Sequence, residues 1–364
     1  MKMRQPGKWT AALLLVCTAL IGCGKQQEQA PAGKSEAAAK PHYAVAWSHY
    51  VGWEPWGYAE QSGILDKWAD KYGIAIDVTL INDYVESINM YTSGKFDACV
   101  MTNMDALTIP AVGGVDSEAL IVGDFSNGND GIVMKNGASV AELKGRTINL
   151  VELSVSHYLL ARALEMNGLS EKDVTLVNTS DADIAAVFAA DPNGAVVTWN
   201  PPLAQARAAP GAKQVFDSSQ IPGEIIDLMV VKSDAPDSLK KALTGAWYEV
   251  VGLMTSGSPE GEKAIAAMAE ASGATVEAFR AQLATTALFE DPAKAVAFVR
   301  SSELPATMDR VRRFSFDKGL YGQGAESPDV VGIEFDDGSV LGAKDNVKLH
   351  FTAKYMQSAA DGSL

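Results

Sequence analysis

Short apolar runs rich in β-branched residues alternate with helix-like stretches from residue 42 to about residue 232, and this alternation constrains the fold most. The runs include HYAVAW, IAIDVTLI and FDACVMT, and later RTINLVE, TLVNT and GAVVTW. Strands separated by helices, such as the helix predicted over residues 54–71, are typical of βαβ units. Because the pattern occurs in two successive sets, we predict an α/β protein with two similar lobes and a cleft between them.

The length of the chain also favours two lobes. The folded part is predicted to begin near Pro41, which leaves more chain than one core usually holds. Strand–helix sets change near residues 129–135 and 223–232, so we assign residues 41–132 and 225–364 to a discontinuous lobe one and residues 133–224 to lobe two. A helical pattern follows from residue 236 to about residue 319, and we expect these helices to pack on lobe one.

The first 22 residues have the pattern of an export signal. Basic residues precede an apolar stretch from Trp9 to Leu20, which ends in LIGC with Cys23 last. This ending resembles a bacterial lipobox, and the resemblance implies cleavage after residue 22 and acylation of Cys23. The alternative is a transmembrane anchor, for which the stretch is short. Residues 23–40 are polar and lack aromatic residues, which predicts a flexible tether to the periplasmic side of the cytoplasmic or outer membrane.

Composition excludes several classes of protein. The chain has 30 Lys and Arg residues against 45 Asp and Glu residues, so we expect no nucleic-acid partner, because phosphate binding needs a basic face. Cys17 leaves with the signal and Cys23 is acylated, so Cys99 remains alone and no intrachain disulfide is expected.

We expect neither an enzyme nor a cofactor. The sequence contains no GxSxG, HExxH, CxxC or GxxxxGK[ST] motif. The histidines, at positions 42, 49, 157 and 350, are not paired at the spacing of metal ligands, so no metal site is predicted. Some relatives of this fold make a pyrimidine precursor, which keeps an enzyme as an alternative, but an exported lipoprotein is a poor place for that chemistry.

Long stretches of both predicted lobes resemble a known family. GWEPWGYAEQSGILDKWADKYGIAIDVTLI, SGKFDACVMTNMDALTIPA and the stretch from LKGRTINLVELS to VVTWNPPLAQA are similar to bacterial ABC-transporter substrate-binding proteins of the nitrate/sulfonate/taurine type, over about residues 43–320. More narrowly, the chain resembles the binding proteins encoded beside urea carboxylase-type enzymes. The resemblance implies a type II periplasmic binding protein fold that closes on its ligand, urea or guanidine, and a monomer that delivers it to an ABC permease. A sensory lipoprotein is the alternative role.

Ligands in open α/β sheets bind beyond the carboxyl ends of the strands, and six loops lie there. They are WSHYVGWEP, INDY, TNMDA, DFSNGNDG, VELSVS and TWNPP, and they contain acids and aromatic residues, Tyr84 included, but no Lys and no Arg. The second change between the predicted lobes, near residues 223–232, adds one more acid. From these loops and that crossover we predict ligand contacts from Trp47, Tyr50, Trp53, Glu54, Asp83, Asn103, Asp105, Asp130, Glu152, Ser154, Trp199 and Asp227.

The charge of these loops points to the charge of the ligand. A mouth rich in carboxylates repels nitrate and sulfonates and suits a cation. Aromatic faces attract cations, and carboxylates bind guanidinium in a bidentate fork, so we rank guanidinium above neutral urea. Trp53 and Trp199 either cover this ligand or pack in the core.

The acidic residues have structural alternatives. Asp105 can cap a helix over residues 106–111 without touching a ligand, and Asp83 and Ser154 have the same ambiguity. Glu54 can be an exposed acid in the first turn of a helix, where the helix dipole favours it.

Overall fold

The structure is a computed structural model in which residues 40–364 are described. The predicted signal peptide, the predicted acylation site Cys23 and residues 24–39 of the predicted tether lie outside the described residues. Within residues 40–364, none of the helices combines the length and the apolar character that a membrane crossing requires.

The described strands form two sheets. They are β1 (His42–Trp47), β2 (Ala75–Leu80), β3 (Ala98–Thr102), β4 (Ser117–Ser126), β5 (Asp130–Lys135), β6 (Thr147–Leu150), β7 (Thr175–Asn178), β8 (Ala195–Trp199), β9 (Ala212–Asp217), β10 (Ile226–Lys232), β11 (Thr286–Leu288), β12 (Gly332–Glu334), β13 (Val340–Gly342) and β14 (Val347–Phe351). The larger sheet has the order β13-β12-β14-β4-β10-β3-β1-β2, with β11 beside β4, and the smaller sheet has the order β7-β6-β8-β5-β9.

Helices cover the sheets. They are α1 (Glu54–Gln61), α2 (Ile64–Lys71), α3 (Tyr84–Thr92), α4 (Asn103–Ala106), α5 (Val155–Met166), α6 (Asp181–Ala190), α7 (Pro202–Ala208), α8 (Asp237–Thr255), α9 (Pro259–Ala271), α10 (Val276–Leu283), α11 (Pro292–Val299), α12 (Glu303–Asp317) and α13 (Lys354–Ala360). The single helix predicted over residues 54–71 is wrong, because Gly63 adopts a left-handed φ of 75° and separates α1 from α2.

The two sheets define two lobes. The chain leaves the larger sheet after Ser126, enters the smaller one at Asp130 and returns at Ile226. Asp130 pairs with Trp199 in the smaller sheet, so sheet membership changes slightly before the predicted limit at residue 132. In both lobes parallel strand pairs are joined through helices, while β10 runs antiparallel between β3 and β4.

The C-terminal helices pack on the lobe of the larger sheet, as predicted. α8 lies against α1 and α2, and α11 and α13 lie against β4. Trp56 of α1 stacks on Trp247 of α8 with ring centroids 5.3 Å apart. A Cβ atom on Gly123 would lie 2.9 Å from the Trp247 ring, so glycine at this position of β4 permits the close packing. This core supports the strand ends that face the smaller lobe.

Candidate functional site

A cavity lies between the lobes where strand ends from both sheets converge. It has an empty volume of about 260 Å³, and its lining residues come from both lobes: Tyr50, Trp53, Tyr84, Thr102, Asp130, Val155, Trp199, Ile225 and Asp227. Thr102 ends β3 and Trp199 ends β8, which agrees with the rule that ligands bind beyond the carboxyl ends of strands. The space is small, so the cavity suits a ligand of few heavy atoms.

Four aromatic rings form a continuous wall around this cavity. The rings of Tyr50 and Trp53 meet edge to face at 5.0 Å, Trp53 and Tyr84 at 5.7 Å, and Tyr84 and Trp199 edge to face at 5.4 Å. Trp199 comes from the smaller lobe, and its Nε1 donates to the carbonyl oxygen of His49 at 3.3 Å. The faces of aromatic rings carry negative electrostatic potential.

Asp130 places a carboxyl group in this wall. It lies at the start of β5, directly opposite Trp199 in the sheet register, and it is buried. Its Oδ2 accepts a hydrogen bond of 2.5 Å from the Ser126 hydroxyl. Burial raises the pKa of Asp130 to about 7, because a low-dielectric environment disfavours the charged carboxylate.

Asp105 lies just behind the wall and holds one of its rings. Its Oδ2 accepts from the Tyr84 hydroxyl at 2.7 Å and from the Thr102 hydroxyl at 2.8 Å. Burial raises the pKa of Asp105 to about 6. The capping alternative for Asp105 is wrong, because α4 begins at Asn103 and Thr102 is its N-cap. Asp105 therefore fixes Tyr84 and adds negative charge near the cavity.

Asp227 lines the cavity, and Asp124 lies next to it. They lie opposite each other on β10 and β4. The Tyr50 hydroxyl donates to Asp124 Oδ1 at 2.7 Å. Burial raises the pKa of Asp124 to about 7, and burial together with the charge of Asp124 raises the pKa of Asp227 well above its usual range. Among residues 40–364, no Lys, Arg or His lines the cavity, so the field in it is negative.

The structure brings five of the twelve predicted contact residues to the cavity lining, namely Tyr50, Trp53, Asp130, Trp199 and Asp227. Asp105 lies behind the lining and accepts hydrogen bonds from the lining residues Tyr84 and Thr102. Trp47 and Glu54 line a separate pocket on the larger lobe. Glu54 is buried and contacts His49 at 2.8 Å, so the alternative of an exposed first-turn acid is wrong. Burial raises the pKa of Glu54, and its hydrogen bond raises the pKa of His49.

Asp83 lies at the mouth of the cleft rather than in the cavity. It caps α3 by accepting from the Glu86 N–H at 2.9 Å, and it also accepts from the Ser180 hydroxyl of the other lobe at 2.9 Å. Asp181 accepts in turn from the backbone N–H of Tyr84 at 3.3 Å. The N-termini of α3 and α6 are thus joined across the cleft, and the lobes are closed.

The other three predicted residues have structural roles or none that we can identify. Asn103 donates to the Glu224 carbonyl at 3.2 Å and accepts from the Ile226 N–H at 3.1 Å, which fixes the return crossover. Ser154 caps α5. Glu152 is half-buried beside the cleft without lining the cavity.

The prediction missed four lining residues. Tyr84 and Thr102 lie in two of the six loops, and the position of these loops at the ends of strands is the signal that could have found them. Val155 lies in a third of these loops, VELSVS, and Ile225 lies in none; both carry apolar side chains, which do not distinguish them from core residues.

Comparison with known proteins supports the fold. The family model described as NMT1/THI5 like matches residues 70–222. The chain is similar to the alkanesulfonate-binding protein SsuA from Xanthomonas axonopodis pv. citri bound to MOPS, with 17% identity and a TM-score of 0.65 over 79% of this chain and 96% of that one. The aliphatic sulphonate binding protein SsuA from Escherichia coli has 17% sequence identity and a TM-score of 0.64, over 79% of this chain and 96% of that one.

A third structure, the periplasmic nitrate-binding protein NrtA from Synechocystis PCC 6803, has 14% identity and a TM-score of 0.55 over 89% of this chain and 99% of that one. No curated protein sequence matches the chain. These likenesses confirm the predicted two-lobed periplasmic binding protein fold. All three neighbours carry the name of a binding protein.

Proposed function

We propose that this protein is the solute-binding component of an ABC importer, that it works outside the cytoplasmic membrane, and that its ligand is a small planar cation, guanidinium. The fold supports a binding role, because the similar solved structures are sulfonate-binding and nitrate-binding proteins. Delivery to an ABC permease, a monomeric state and an acyl anchor on Cys23 belong to the same proposal, and they rest on the sequence resemblance.

The observation that carries the choice of a cation is the charge of the cavity. Asp130 and Asp227 line it, Asp105 and Asp124 lie next to it, and none of its described lining residues is basic. Two like charges 4 Å apart repel by about 4 kcal/mol at an effective dielectric constant of 20. An anion such as those of the named neighbours would meet this repulsion, whereas a cation would gain a comparable attraction.

Hydrogen-bond donors separate guanidinium from urea. The hydroxyl groups of Tyr84 and Thr102 donate to Asp105, and the hydroxyl group of Tyr50 donates to Asp124. The hydroxyl protons at the cavity are therefore engaged with carboxylates and are not offered to the carbonyl oxygen of urea. Guanidinium carries only donors, which match a wall of acceptors, and its planar face fits against the aromatic rings.

A thermal-shift screen of the purified protein tests the proposal. Guanidinium, methylguanidine, urea, taurine and nitrate are compared at millimolar concentration, with sodium chloride as the control for ionic strength. A ligand at about 100 times its Kd stabilises the folded state by about 2.7 kcal/mol, so the true ligand gives a distinct rise in melting temperature. We expect the largest rise with guanidinium. Stabilisation by taurine or nitrate without guanidinium would refute the assignment.

A further inference from the structure

Two carboxyl groups face each other at the cavity, Asp227 in its lining and Asp124 next to it. Asp124 of β4 and Asp227 of β10 are register partners in an antiparallel pair, and both are buried. Side chains at such positions lie on the same face of the sheet and in contact. The two carboxyl groups are close enough to share a hydrogen bond when one of them carries a proton.

The surroundings give this pair no compensating positive charge. The Tyr50 hydroxyl donates to Asp124 Oδ1, and within residues 40–364 no donor other than a protonated Asp227 serves Asp124 Oδ2. The other titratable groups nearby are Asp130 on β5 and Asp105 on α4, and both are acids. Two buried carboxylates in contact cannot both ionise without a cation, so such pairs keep one proton between them.

We infer that the Asp124–Asp227 pair shares one proton while the cavity is empty, that this proton leaves when guanidinium binds, and that the pair thereby selects a charged ligand over a neutral one of the same shape. This inference rests on the proposed function. The proton moves from a carboxyl group to solvent, the charge of the pair changes from −1 to −2, and the ligand adds +1. No covalent bond to the ligand forms.

The direction of the pH dependence follows from this exchange. Burial, together with the charge of Asp124, raises the pKa of Asp227 well above its usual range, so the pair holds a proton near neutral pH in the empty protein. A bound cation favours the ionised form and lowers the pKa of the pair, so binding releases a proton and affinity for the cation rises with pH. A neutral ligand such as urea does not stabilise the ionised pair, so its binding releases no proton.

Calorimetry in two buffers counts the released protons. Guanidinium is titrated into the protein at pH 7 in phosphate and in Tris, whose ionisation enthalpies differ. The difference between the two binding enthalpies gives the number of protons released per bound ligand. Guanidinium keeps its own proton because its pKa, like that of Arg, lies above about 12. We expect release of about 0.5 to 1 proton per ligand, an affinity that rises about threefold to tenfold per pH unit from pH 6 to pH 8, and no release with urea.

The variant Asp227→Asn assigns the proton to the pair. The amide side chain of this variant can still donate to Asp124 but has no proton to lose. The number of protons released should therefore fall to the share that Asp130 supplies, and the preference for guanidinium over urea at pH 8 should fall at least tenfold. The control Asp183→Asn removes an exposed acid of α6 and should release protons as the unmodified protein does.

Two results would overturn the inference while leaving the proposed function intact. One is guanidinium binding without proton release in the unmodified protein, a result that needs no variant to fold. The other is an Asp227→Asn variant that releases the full proton. Failure of guanidinium to bind the unmodified protein at all would overturn the proposed function, and this inference with it.

Discussion

Removing the charge of Asp130 while keeping its shape should weaken guanidinium binding about tenfold to 150-fold. Asp130 lines the cavity opposite Trp199, and its Oδ2 accepts from the Ser126 hydroxyl. Asp130→Asn keeps an acceptor for Ser126 and loses only the carboxylate. A hydrogen bond to a charged group contributes about 1.5–3 kcal/mol, and about 1.4 kcal/mol corresponds to a factor of ten in Kd.

The assay is calorimetry with guanidinium at pH 8, above the pKa of about 7 for Asp130. Asp183→Asn is the matched control, since it removes an exposed acid of the same lobe, and its affinity should stay within about twofold because an exposed charge is screened by solvent. The empty Asp130→Asn protein should melt no lower than the unmodified one, because a buried ionised carboxylate is costly. Unchanged affinity in Asp130→Asn, or an equal loss in the control, would refute the assignment of this carboxylate to the ligand.

Other residues give further predictions. Trp199→Ala should weaken guanidinium binding about 30-fold, because a desolvated cation–π contact contributes about 2 kcal/mol. Trp199→Phe should weaken binding much less, and calorimetric titration of both variants with guanidinium measures the two affinities. The melting temperature of the empty protein should fall as pH rises from 5 to 8. Burial raises the pKa of Asp105 to about 6 and that of Asp130 to about 7, so the folded state binds more protons than the unfolded state in this window, and stability decreases with pH; a rise in scanning calorimetry would contradict it. Ser180→Ala removes the hydroxyl that donates to Asp83 across the cleft, so affinity should fall about fivefold, by about 1 kcal/mol, and small-angle scattering should show a more open empty protein.

The architecture could be predicted because it depends on a repeated local pattern. Strands such as β3 and β8 are short apolar runs between helical stretches, and each lobe repeats that order. The helix predicted over residues 54–71 is interrupted at Gly63, whose left-handed φ ends one helix and starts another. A glycine after polar residues is a signal for such a break, and it was present in QSGIL.

The acidic character of the site could be predicted from the sequence, but the set of residues that line the cavity could not. The loops at strand ends carry their acids in the sequence, so a negative cleft followed directly. Which acids face the cavity depends on how the lobes close: Asp83 bonds to Ser180 at the mouth, and Glu54 turns toward His49. The role of Asp105 depends on where β3 ends, because that position makes Thr102 the cap of α4. These contacts depend on tertiary packing, and no local sequence pattern predicts them.

The central claim is that the cavity selects a cation, and competitive calorimetry tests it most directly. Guanidinium is titrated into the protein alone, and then into protein with an excess of nitrate or of an alkanesulfonate, at constant ionic strength. We predict one guanidinium per chain with the same affinity in all three titrations, and no heat of binding from either anion. Tight binding of nitrate or the alkanesulfonate, with guanidinium giving no heat, would contradict it.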